Sequence, residues 1–285
     1  MILLQQYGYK QQRKKSRIKF TYILTIIILT LIISFSLYMV NANSPNKKVS
    51  GTSVPSQTSS STESSQTAQT SETTPPEPEI VNPVPESAAL DVSYFTQCAF
   101  VGDSISQGLS AYQLTPELNE NNVLAGKGMN LDKINTATIT TTAGDVTILD
   151  ALKTLSPKNV YIMLGSNGIA WLTNEKMIKE YSEFIDKIKA ELPDAKIYVL
   201  SIPPVTAEKE TDTDGAILNS AIDSYNSELL KMANEKKIYF VDINTALKGN
   251  DGKLPSDKSA GDGMHLNKAA YQTFINYILT HTAKD

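Results

Sequence analysis

The stretch AFVGDSIS, residues 99–106, joins an apolar run to a polar turn and then to the start of a helical pattern. Ala99-Phe100-Val101 is typical of a buried strand, and Gly102-Asp103-Ser104 is typical of the tight turn that follows one. Four more short runs rich in β-branched and aromatic residues lie further along the chain, at residues 123–125, 160–164, 197–202 and 238–243. Together these runs predict five strands.

Helical patterns separate the later strands. Apolar residues recur at helical spacing from 177 to 192, with Thr173 as a predicted N-cap and Pro193 as a stop. Similar patterns occupy residues 218–232 and 266–278. Strands that are apolar on both faces and alternate with helices form parallel sheets covered on each side. Residues 91–285 are therefore predicted to form one α/β domain, a three-layer α/β/α sandwich around a five-stranded parallel sheet.

The N-terminal residues have the composition of a membrane anchor. Residues 1–19 contain six basic and no acidic residues, and residues 20–40, FTYILTIIILTLIISFSLYMV, contain no charge. A helix of this length spans about 30 Å, the thickness of the hydrocarbon core of a bilayer. We expect a transmembrane helix with a cytoplasmic N-terminal segment, which places the rest of the chain outside the cell. The alternative is a cleaved signal peptide, which would leave the domain secreted.

The segment from 41 to 90 is predicted to be a disordered linker. Residues 42–90 contain 25 Ser, Thr or Pro among 49 positions and few large apolar side chains. Such a composition buries too little apolar surface to offset the entropy of ordering the chain. The linker would hold the following domain away from the membrane.

Composition excludes two classes of function. From residue 91 onward there are 25 acidic and 18 basic residues, so this part carries a net charge of −7. It also lacks a basic stripe with interleaved aromatic residues, which argues against nucleic-acid binding. Cys98, His265 and His281 are the only thiol and imidazole groups in the chain, so no zinc site with the usual ligands is expected.

Polar and small residues follow the predicted strands at the edge where parallel sheets bind ligands. Gly102-Asp103-Ser104 follows the first strand, Gly126-Lys127-Gly128 the second, and Gly165-Ser166-Asn167 the third. Asp262-Gly263-Met264-His265 lies in the long segment after the fifth. All four segments can meet at one edge of the sheet.

These residue types suit nucleophilic catalysis. A serine becomes a nucleophile when a histidine takes its proton and a carboxylate holds the other ring nitrogen. Asp262 and His265 can supply both from one turn, and Ser104 would stand at the start of a helix, where negative charge is favoured. The backbone N–H groups of Ser104 and Gly128 and the side-chain amide of Asn167 are candidate donors to an oxyanion.

At these residues the chain resembles the SGNH/GDSL hydrolases, a family named for Ser, Gly, Asn and His in four blocks. The blocks match Ser104, Gly128, Asn167 and His265, in that order, and Asp262 stands three positions before the histidine. The resemblance covers residues from about 97 to 283. It implies an α/β/α fold and a Ser-His-Asp site acting on esters, often acyl groups on lipids or carbohydrates, without a metal or organic cofactor.

The sequence departs from the family pattern at two positions. Ile105 replaces the leucine of the family name, and Gly168 follows Asn167 where many members carry Asp. The second block is only a glycine in a short loop, so Gly126 remains an alternative to Gly128 as the oxyanion donor. Tyr112 and Trp171 follow the first and third blocks and are candidate walls of the substrate pocket. Core packing is the alternative for both.

The sequence thus indicates a membrane-tethered extracellular serine esterase that removes acyl groups, acetyl in particular, from cell-surface glycan. The substrate class rests on the predicted location of the domain. An O-acyltransferase with the same triad and a lysophospholipase or other lipid esterase are the alternatives within enzymes. A catalytically silent glycan-binding module is the alternative outside enzymes, and the complete set of Ser104, Asp262 and His265 argues against it.

Overall fold

The computed structural model describes residues 80–141 and 144–283. The predicted cytoplasmic segment 1–19, the predicted transmembrane helix 20–40 and the predicted linker up to residue 79 lie outside the described residues. Within the part that the structure describes, no helix is both long and apolar enough to cross a membrane.

A five-stranded parallel sheet forms the centre of the fold, as the sequence predicts. The strands of the described residues are β1 (Cys98–Gly102), β2 (Val123–Ala125), β3 (Thr138–Thr141), β4 (Gly144–Thr147), β5 (Asn159–Met163), β6 (Lys196–Leu200) and β7 (Tyr239–Val241). In spatial order the strands of the central sheet are β2, β1, β5, β6 and β7, and every neighbouring pair is parallel. Strands β1 and β5 are buried along their whole length, as expected for strands covered on both faces.

Strands β3 and β4 form a separate antiparallel pair that the sequence patterns do not predict. Their sequences, TITT and GDVT, are mostly polar, and only Ile139 is buried. Because the apolar alternation typical of a strand is missing, no pattern in this segment indicates a hairpin.

Helices cover the sheet. The helices of the described residues are α1 (Ser104–Ala111), α2 (Ile148–Leu155), α3 (Asn174–Glu191), α4 (Ala207–Glu210), α5 (Asn219–Glu235), α6 (Ile243–Leu247) and α7 (Lys268–Thr280), with 3-10 turns at Val92–Gln97, Leu131–Lys133 and Ser256–Lys258. Helices α1, α6 and α7 pack together, and α2, α3 and α5 form a second packed group, so the core lies between the sheet and two helical layers. The helix over the 177–192 pattern, α3, begins after Thr173, whose hydroxyl caps it, and ends before Leu192.

The fifth predicted strand is too long at its C-terminal end. Strand β7 ends at Val241, and Ile243 is already the first residue of α6. The reason is Asp242, whose carboxylate accepts a hydrogen bond from the N–H of Thr245 and so caps the helix.

A row of stacked aromatic rings crosses four strands on one face of the sheet. Phe100, Tyr161, Tyr198 and Tyr239 occupy paired positions on β1, β5, β6 and β7. Their successive ring centroids are 5.0, 4.4 and 4.8 Å apart. Such cross-strand pairs stabilise a particular register, because a slip of one residue would move every ring to the opposite face.

The predicted linker extends too far toward the domain, because residues 82–90 are packed on it. Val84 is buried, and its N–H donates to the carbonyl of Phe240 at 2.8 Å. The N–H of Leu90 donates to the carbonyl of Leu279 at 2.9 Å. Composition misses this segment because one buried apolar side chain, Val84, and a few hydrogen bonds are enough to hold a short stretch against an existing surface.

Candidate active site

The strand order places a crevice between β1 and β5. Strand β2 lies on one side of β1, whereas β5, β6 and β7 follow on the other, so the connections leave the sheet in opposite directions at this point. Open parallel sheets bind ligands at the carboxyl ends of the strands beside such a reversal. The segments after β1, β2 and β5, which the sequence analysis singled out, all lie at this edge.

Ser104 is the first residue of α1 and follows β1 after a single residue, Asp103. The Asp103 carboxylate caps the helix by accepting a hydrogen bond from the N–H of Ile105 at 2.9 Å. Asp103 therefore has a structural role in the nucleophile turn. The Ser104 N–H has no hydrogen-bond partner among the described residues, as is usual in the first turn of a helix.

The Ser104 hydroxyl contacts His265, 161 residues away in the chain. Ser104 Oγ lies 2.8 Å from Nε2 of His265, and Nδ1 of the same ring lies 2.5 Å from Oδ2 of Asp262. Because a carboxylate can only accept, Nδ1 carries the proton and Nε2 is left to accept from the serine. The three side chains that the sequence predicts thus form one hydrogen-bonded chain.

The Asp262 carboxylate is held by more than the imidazole. Its Oδ1 accepts from the N–H groups of Met264 at 3.0 Å and His265 at 2.8 Å. Burial by itself raises the pKa of Asp262, but the hydrogen bonds from the His265 ring and from these two N–H groups outweigh it and lower the pKa to about 2. Asp262 is therefore ionised at neutral pH and accepts the hydrogen bond from Nδ1 of His265.

Hydrogen bonds from the surrounding loops hold the His265 segment in place. The N–H of Gly263 donates to Ser259 Oγ, and its carbonyl accepts from the N–H of Thr206, both at 2.9 Å. The carbonyl of His265 accepts from the N–H of Ala260 at 2.8 Å. The imidazole is thus oriented by its backbone as well as by Asp262.

The close packing of α7 against α1 brings His265 to Ser104. A Cβ at Gly108 on α1 would lie 2.0 Å from the ring of Tyr271 on α7, so only glycine permits this approach. The Tyr271 hydroxyl donates to the carbonyl of Ile105 at 2.5 Å. Because His265 stands just before α7 and Ser104 begins α1, this helix pair sets the distance between them.

Asn167 lies on the loop after β5, and its side-chain amide is already engaged. Its Nδ2 donates to Oδ2 of Asp103 at 3.2 Å and to the carbonyl of Met129 at 3.0 Å. Two acceptors fix the orientation of the amide, with the nitrogen toward Asp103 and Met129. These contacts join the loops that follow β1, β2 and β5 at the place where the sequence predicts the oxyanion site.

Asp103 is completely buried beside these groups. Burial raises the pKa of its carboxyl group to about 6, although the hydrogen bond from Ile105 and the nearby His265 act in the opposite direction. The carboxylate contacts both the nucleophile turn and the side chain of Asn167.

Gly128 and Gly126 differ in what their N–H groups do. The Gly126 N–H donates to the carbonyl of Gly102 at 3.2 Å, as part of the loop that leaves β2. The Gly128 N–H has no partner among the described residues, and its φ of +72° is a conformation that glycine adopts readily. Of the two, Gly128 is therefore the one with a free donor.

Trp171 and Tyr112 have different environments. Trp171 is 60% exposed, which rules out core packing, and its indole N–H donates to the carbonyl of Asn167 at 2.7 Å. Tyr112 caps the C-terminal end of α1, packs on Tyr271, and donates its hydroxyl to the carbonyl of Leu266 at 3.2 Å. Tyr112 therefore supports the residue after His265 and belongs to the packing of α1 on α7.

Cys98 and His281 lie away from the site. Cys98 is a buried free thiol at the start of β1, and burial raises its pKa to about 12. His281 follows the last residue of α7, about 20 Å along the helix from His265. It is half-buried against Tyr277, with ring centroids 3.6 Å apart, and is therefore less exposed than its position near the chain end suggests.

Comparison with known proteins identifies the family of this chain. Residues 100–273 match the model of the GDSL-like Lipase/Acylhydrolase family, which is more than half of the chain. The chain belongs to this family. It is an ester hydrolase of the GDSL type.

Solved structures share the fold of this GDSL-type hydrolase. A protein described as a platelet activating factor from Streptococcus pneumonia is 19% identical, with a TM-score of 0.52, over 66% of this chain and 87% of that chain. A protein of the G-D-S-L family from Desulfitobacterium hafniense, described as lipolytic, is 15% identical, with a TM-score of 0.50, over 66% of this chain and 99% of that chain. Among curated proteins, none matches this chain in sequence. At these identities the likeness concerns the fold.

A small apolar cavity borders the site of this GDSL-type hydrolase. Ile105 and Met264, the chain neighbours of Ser104 and His265, line it from two sides. Its free volume is about 10 Å³, enough for roughly one water-sized group. The other lining residues are Ser166, Ile169, Ile202, Pro203, Val205, Ile217 and Ile222.

Sequence reasoning missed three contributors to the site. Met129 supplies the carbonyl that Asn167 contacts, Gly108 permits the approach of α7, and Ser259 holds the His265 segment. Only Gly108 carried a usable signal, since a glycine inside a helix often marks close packing. The others act through backbone carbonyls or a loop hydroxyl, which no spacing pattern reveals.

Proposed function

We propose that this GDSL-type hydrolase removes short acyl groups, acetyl in particular, from sugar hydroxyls through a Ser104-His265-Asp262 triad. The observation that carries the proposal is the hydrogen-bonded chain from Ser104 Oγ through His265 to Asp262, with distances of 2.8 and 2.5 Å. Each group has the partner that its role in acyl transfer requires.

The reaction proceeds by two acyl transfers. Ser104 Oγ attacks the ester carbonyl while His265 Nε2 takes its proton, and the ionised Asp262 stabilises the imidazolium. Collapse of the tetrahedral intermediate breaks the ester bond, and His265 returns the proton to the leaving alcohol. Water then attacks the acyl-enzyme with His265 as base, which releases the carboxylic acid and restores Ser104.

Oxyanion stabilisation comes from the free N–H groups of Ser104 and Gly128 and from Asn167. Because both amide hydrogens of Asn167 are engaged, one bond must be exchanged when the oxyanion forms. When the oxyanion forms, Asn167 breaks its hydrogen bond to the carbonyl of Met129, because its bond to the Asp103 carboxylate is charge-assisted and stronger. Asn167 would then face the oxyanion while Asp103 holds the amide in position.

The cavity lined by Ile105 and Met264, the chain neighbours of Ser104 and His265, favours a short acyl group. Free volume of about 10 Å³ suits a methyl group, and a longer chain would need the buried side chains around it to move. An acetyl ester therefore fits this site better than the acyl chain of a lipid, which favours a deacetylase over a lysophospholipase.

The location of the enzyme is proposed from the sequence alone. An uncharged segment at 20–40 that follows six basic residues favours a membrane anchor with the catalytic domain outside the cell. Release of the domain by signal cleavage would export it as well. Acetylated surface glycan is the class of substrate that such a domain would meet.

Hydrolysis of a small activated acetyl ester by the full chain tests the proposal. The Ser104→Ala variant should lose activity by about a thousandfold or more, whereas Ser110→Ala, on the last turn of the same helix, should keep it. EDTA should have no effect. Activity retained in Ser104→Ala at unchanged folding would overturn the proposed mechanism, and acetyl transfer to an added sugar in preference to water would identify an acyltransferase instead.

A further inference from the structure

We propose that the exposed face of Trp171 binds the pyranose ring that carries the acyl ester, and so selects acylated sugars over other esters. This inference rests on the proposed function, because it assigns a binding residue for the alcohol part of the same substrate. The carrying observation is the position of the indole, which is anchored to Asn167 and open to solvent.

Trp171 is held in place although its ring is exposed. The indole N–H donates to the carbonyl of Asn167 at 2.7 Å, and the backbone N–H of Trp171 donates to the carbonyl of Gly168 at 3.0 Å. The same loop is closed at its start, where the N–H groups of Gly168 and Ile169 donate to the carbonyl of Gly165 at 2.8 and 3.0 Å. A ring fixed in this way loses little conformational entropy when a ligand covers it.

A chain of hydrogen bonds connects the indole to the nucleophile turn. Asn167, whose carbonyl holds the indole, donates through its side chain to Asp103, and Asp103 directly precedes Ser104. Trp171 is thus two hydrogen bonds and one peptide bond from the nucleophile. No other large apolar side chain of the described residues is as exposed as Trp171.

The shape of the site leaves the alcohol part of the ester on the open side. The cavity lined by Ile105 and Met264 has room for roughly one small group, which suits the acyl methyl group. A leaving group larger than methanol must therefore lie over the solvent-facing rim. The indole of Trp171, which is exposed and hydrogen-bonded to the carbonyl of Asn167, offers an apolar surface on this solvent-facing side.

A sugar ring matches the chemistry of this surface. A pyranose presents C–H groups on one face and hydroxyl groups around its edge, so it can cover an indole while its hydroxyl groups remain in water. An aromatic ring that is apolar on its face and hydrogen-bonded at its edge suits such a ligand. A lipid alcohol would instead need a longer apolar groove.

Fluorescence provides a direct test, because Trp171 is the only tryptophan in the chain. The full-length Ser104→Ala variant should bind an O-acetylated xylo-oligosaccharide or an O-acetylated N-acetylglucosamine oligosaccharide without turning it over. We expect a saturable shift of the emission to shorter wavelength with at least one of them. Ethyl acetate, which lacks a sugar ring, is the control and should cause no shift. Absence of a shift with both oligosaccharides at concentrations that saturate wild-type turnover would overturn the inference.

Steady-state kinetics separates sugar binding from support of Asn167. Trp171→Ala should raise KM for the acetylated oligosaccharide by about tenfold, a typical effect of losing an aromatic contact, and change kcat/KM for methyl acetate, whose leaving group is too small to reach the indole, by less than about threefold. Trp171→Phe keeps a ring face but loses the N–H, and it should retain most of the oligosaccharide affinity. Val92→Ala, at an exposed position before β1, is the surface control.

If Trp171→Ala lowered kcat/KM equally for the acetylated oligosaccharide and for methyl acetate, the indole would act by positioning Asn167, and sugar binding would be overturned. Unchanged KM for the oligosaccharide would overturn it as well. Failure of the proposed function looks different, since it would appear as activity on p-nitrophenyl acetate that survives Ser104→Ala, whatever the Trp171 variants do.

Discussion

The side-chain amide of Asn167 donates to the buried carboxylate of Asp103 at 3.2 Å, across 64 positions of the chain. The other oxygen of the same carboxylate accepts from the N–H of Ile105 and caps the helix that Ser104 begins. One buried acid therefore orients both the nucleophile turn and the amide proposed for the oxyanion site. Asp103 is a positioning residue in this arrangement.

Replacement of Asp103 by Asn should lower kcat by about tenfold to a hundredfold with little change in KM. Ile105 and Asn167 donate to different oxygens of the carboxylate, and in Asn one of these positions becomes an NH2 group that cannot accept. Hydrogen bonds to charged groups contribute about 1.5–3 kcal/mol. Steady-state kinetics on a small acetyl ester measures the effect. Asp242→Asn is the matched control, because Asp242 also caps a helix after a strand but lies three strands from β1. Equal kcat in the two variants would contradict the role of Asp103.

The raised pKa of Asp103 predicts a pH dependence of stability. The native state holds this proton up to about pH 6, whereas the unfolded chain releases it near the ordinary value of 3.8. The contribution of Asp103 to the free energy of unfolding should therefore be fully present below about pH 4 and should decline as the pH rises to about 6. Urea denaturation of wild type and Asp103→Asn from pH 4 to 7 checks this. A difference between the two proteins that stays constant over this range would disprove the prediction.

The two glycines after β2 should respond differently to substitution. Gly128→Ala should lower kcat by about tenfold or more, because an L-residue at a φ of +72° is strained and its relaxation turns the free N–H away. A Cβ there meets no atom within 4 Å, so a clash cannot account for the loss. Gly126→Ala should leave kcat nearly unchanged, since the added Cβ would make only an ordinary 3.4 Å contact with Met129. The reverse ranking would assign the oxyanion N–H to Gly126.

The two histidines provide a matched pair for the general base. His265→Ala should lower kcat by about a thousandfold or more, because Ser104 Oγ loses its only proton acceptor in the structure. His281→Ala should stay within about twofold of wild type, since that ring stacks on Tyr277 at the far end of α7. Initial rates on a small acetyl ester distinguish them. If kcat fell by a similar factor in both variants, the cause would be a general effect on folding, and a thermal melt would detect it.

Enlarging the cavity should change the preferred acyl chain. Ile169→Ala removes part of the wall, so kcat/KM for butyrate relative to acetate should rise by about tenfold, the usual effect of one or two methylene groups in an apolar pocket. Ile178→Ala, the same substitution at a half-buried position of α3 outside the cavity, is the control. A series of p-nitrophenyl esters measures both. An unchanged ratio in Ile169→Ala would place the acyl chain elsewhere.

Local patterns in the sequence determined the five strands of the parallel sheet and the three longest helices, and they pointed to Ser104, His265 and Asp262 as the candidate triad. The runs at 99–101 and 160–164 lie in β1 and β5 because strands buried on both faces must be apolar at every position. The cap at Thr173 was visible because a hydroxyl before a helical pattern satisfies a free N–H. Ser104 and His265 were visible because the edge of a parallel sheet is where polar residues after strands converge.

Only the tertiary structure decided how these residues are held. It shows that Asn167 contacts Asp103 and Met129, that Gly128 rather than Gly126 has a free N–H, and that residues 82–90 pack on the domain. Each of these depends on which loops meet after the sheet has formed, over separations of tens of residues. Local spacing carries no information about such encounters, because a backbone carbonyl or N–H can be supplied by any residue type.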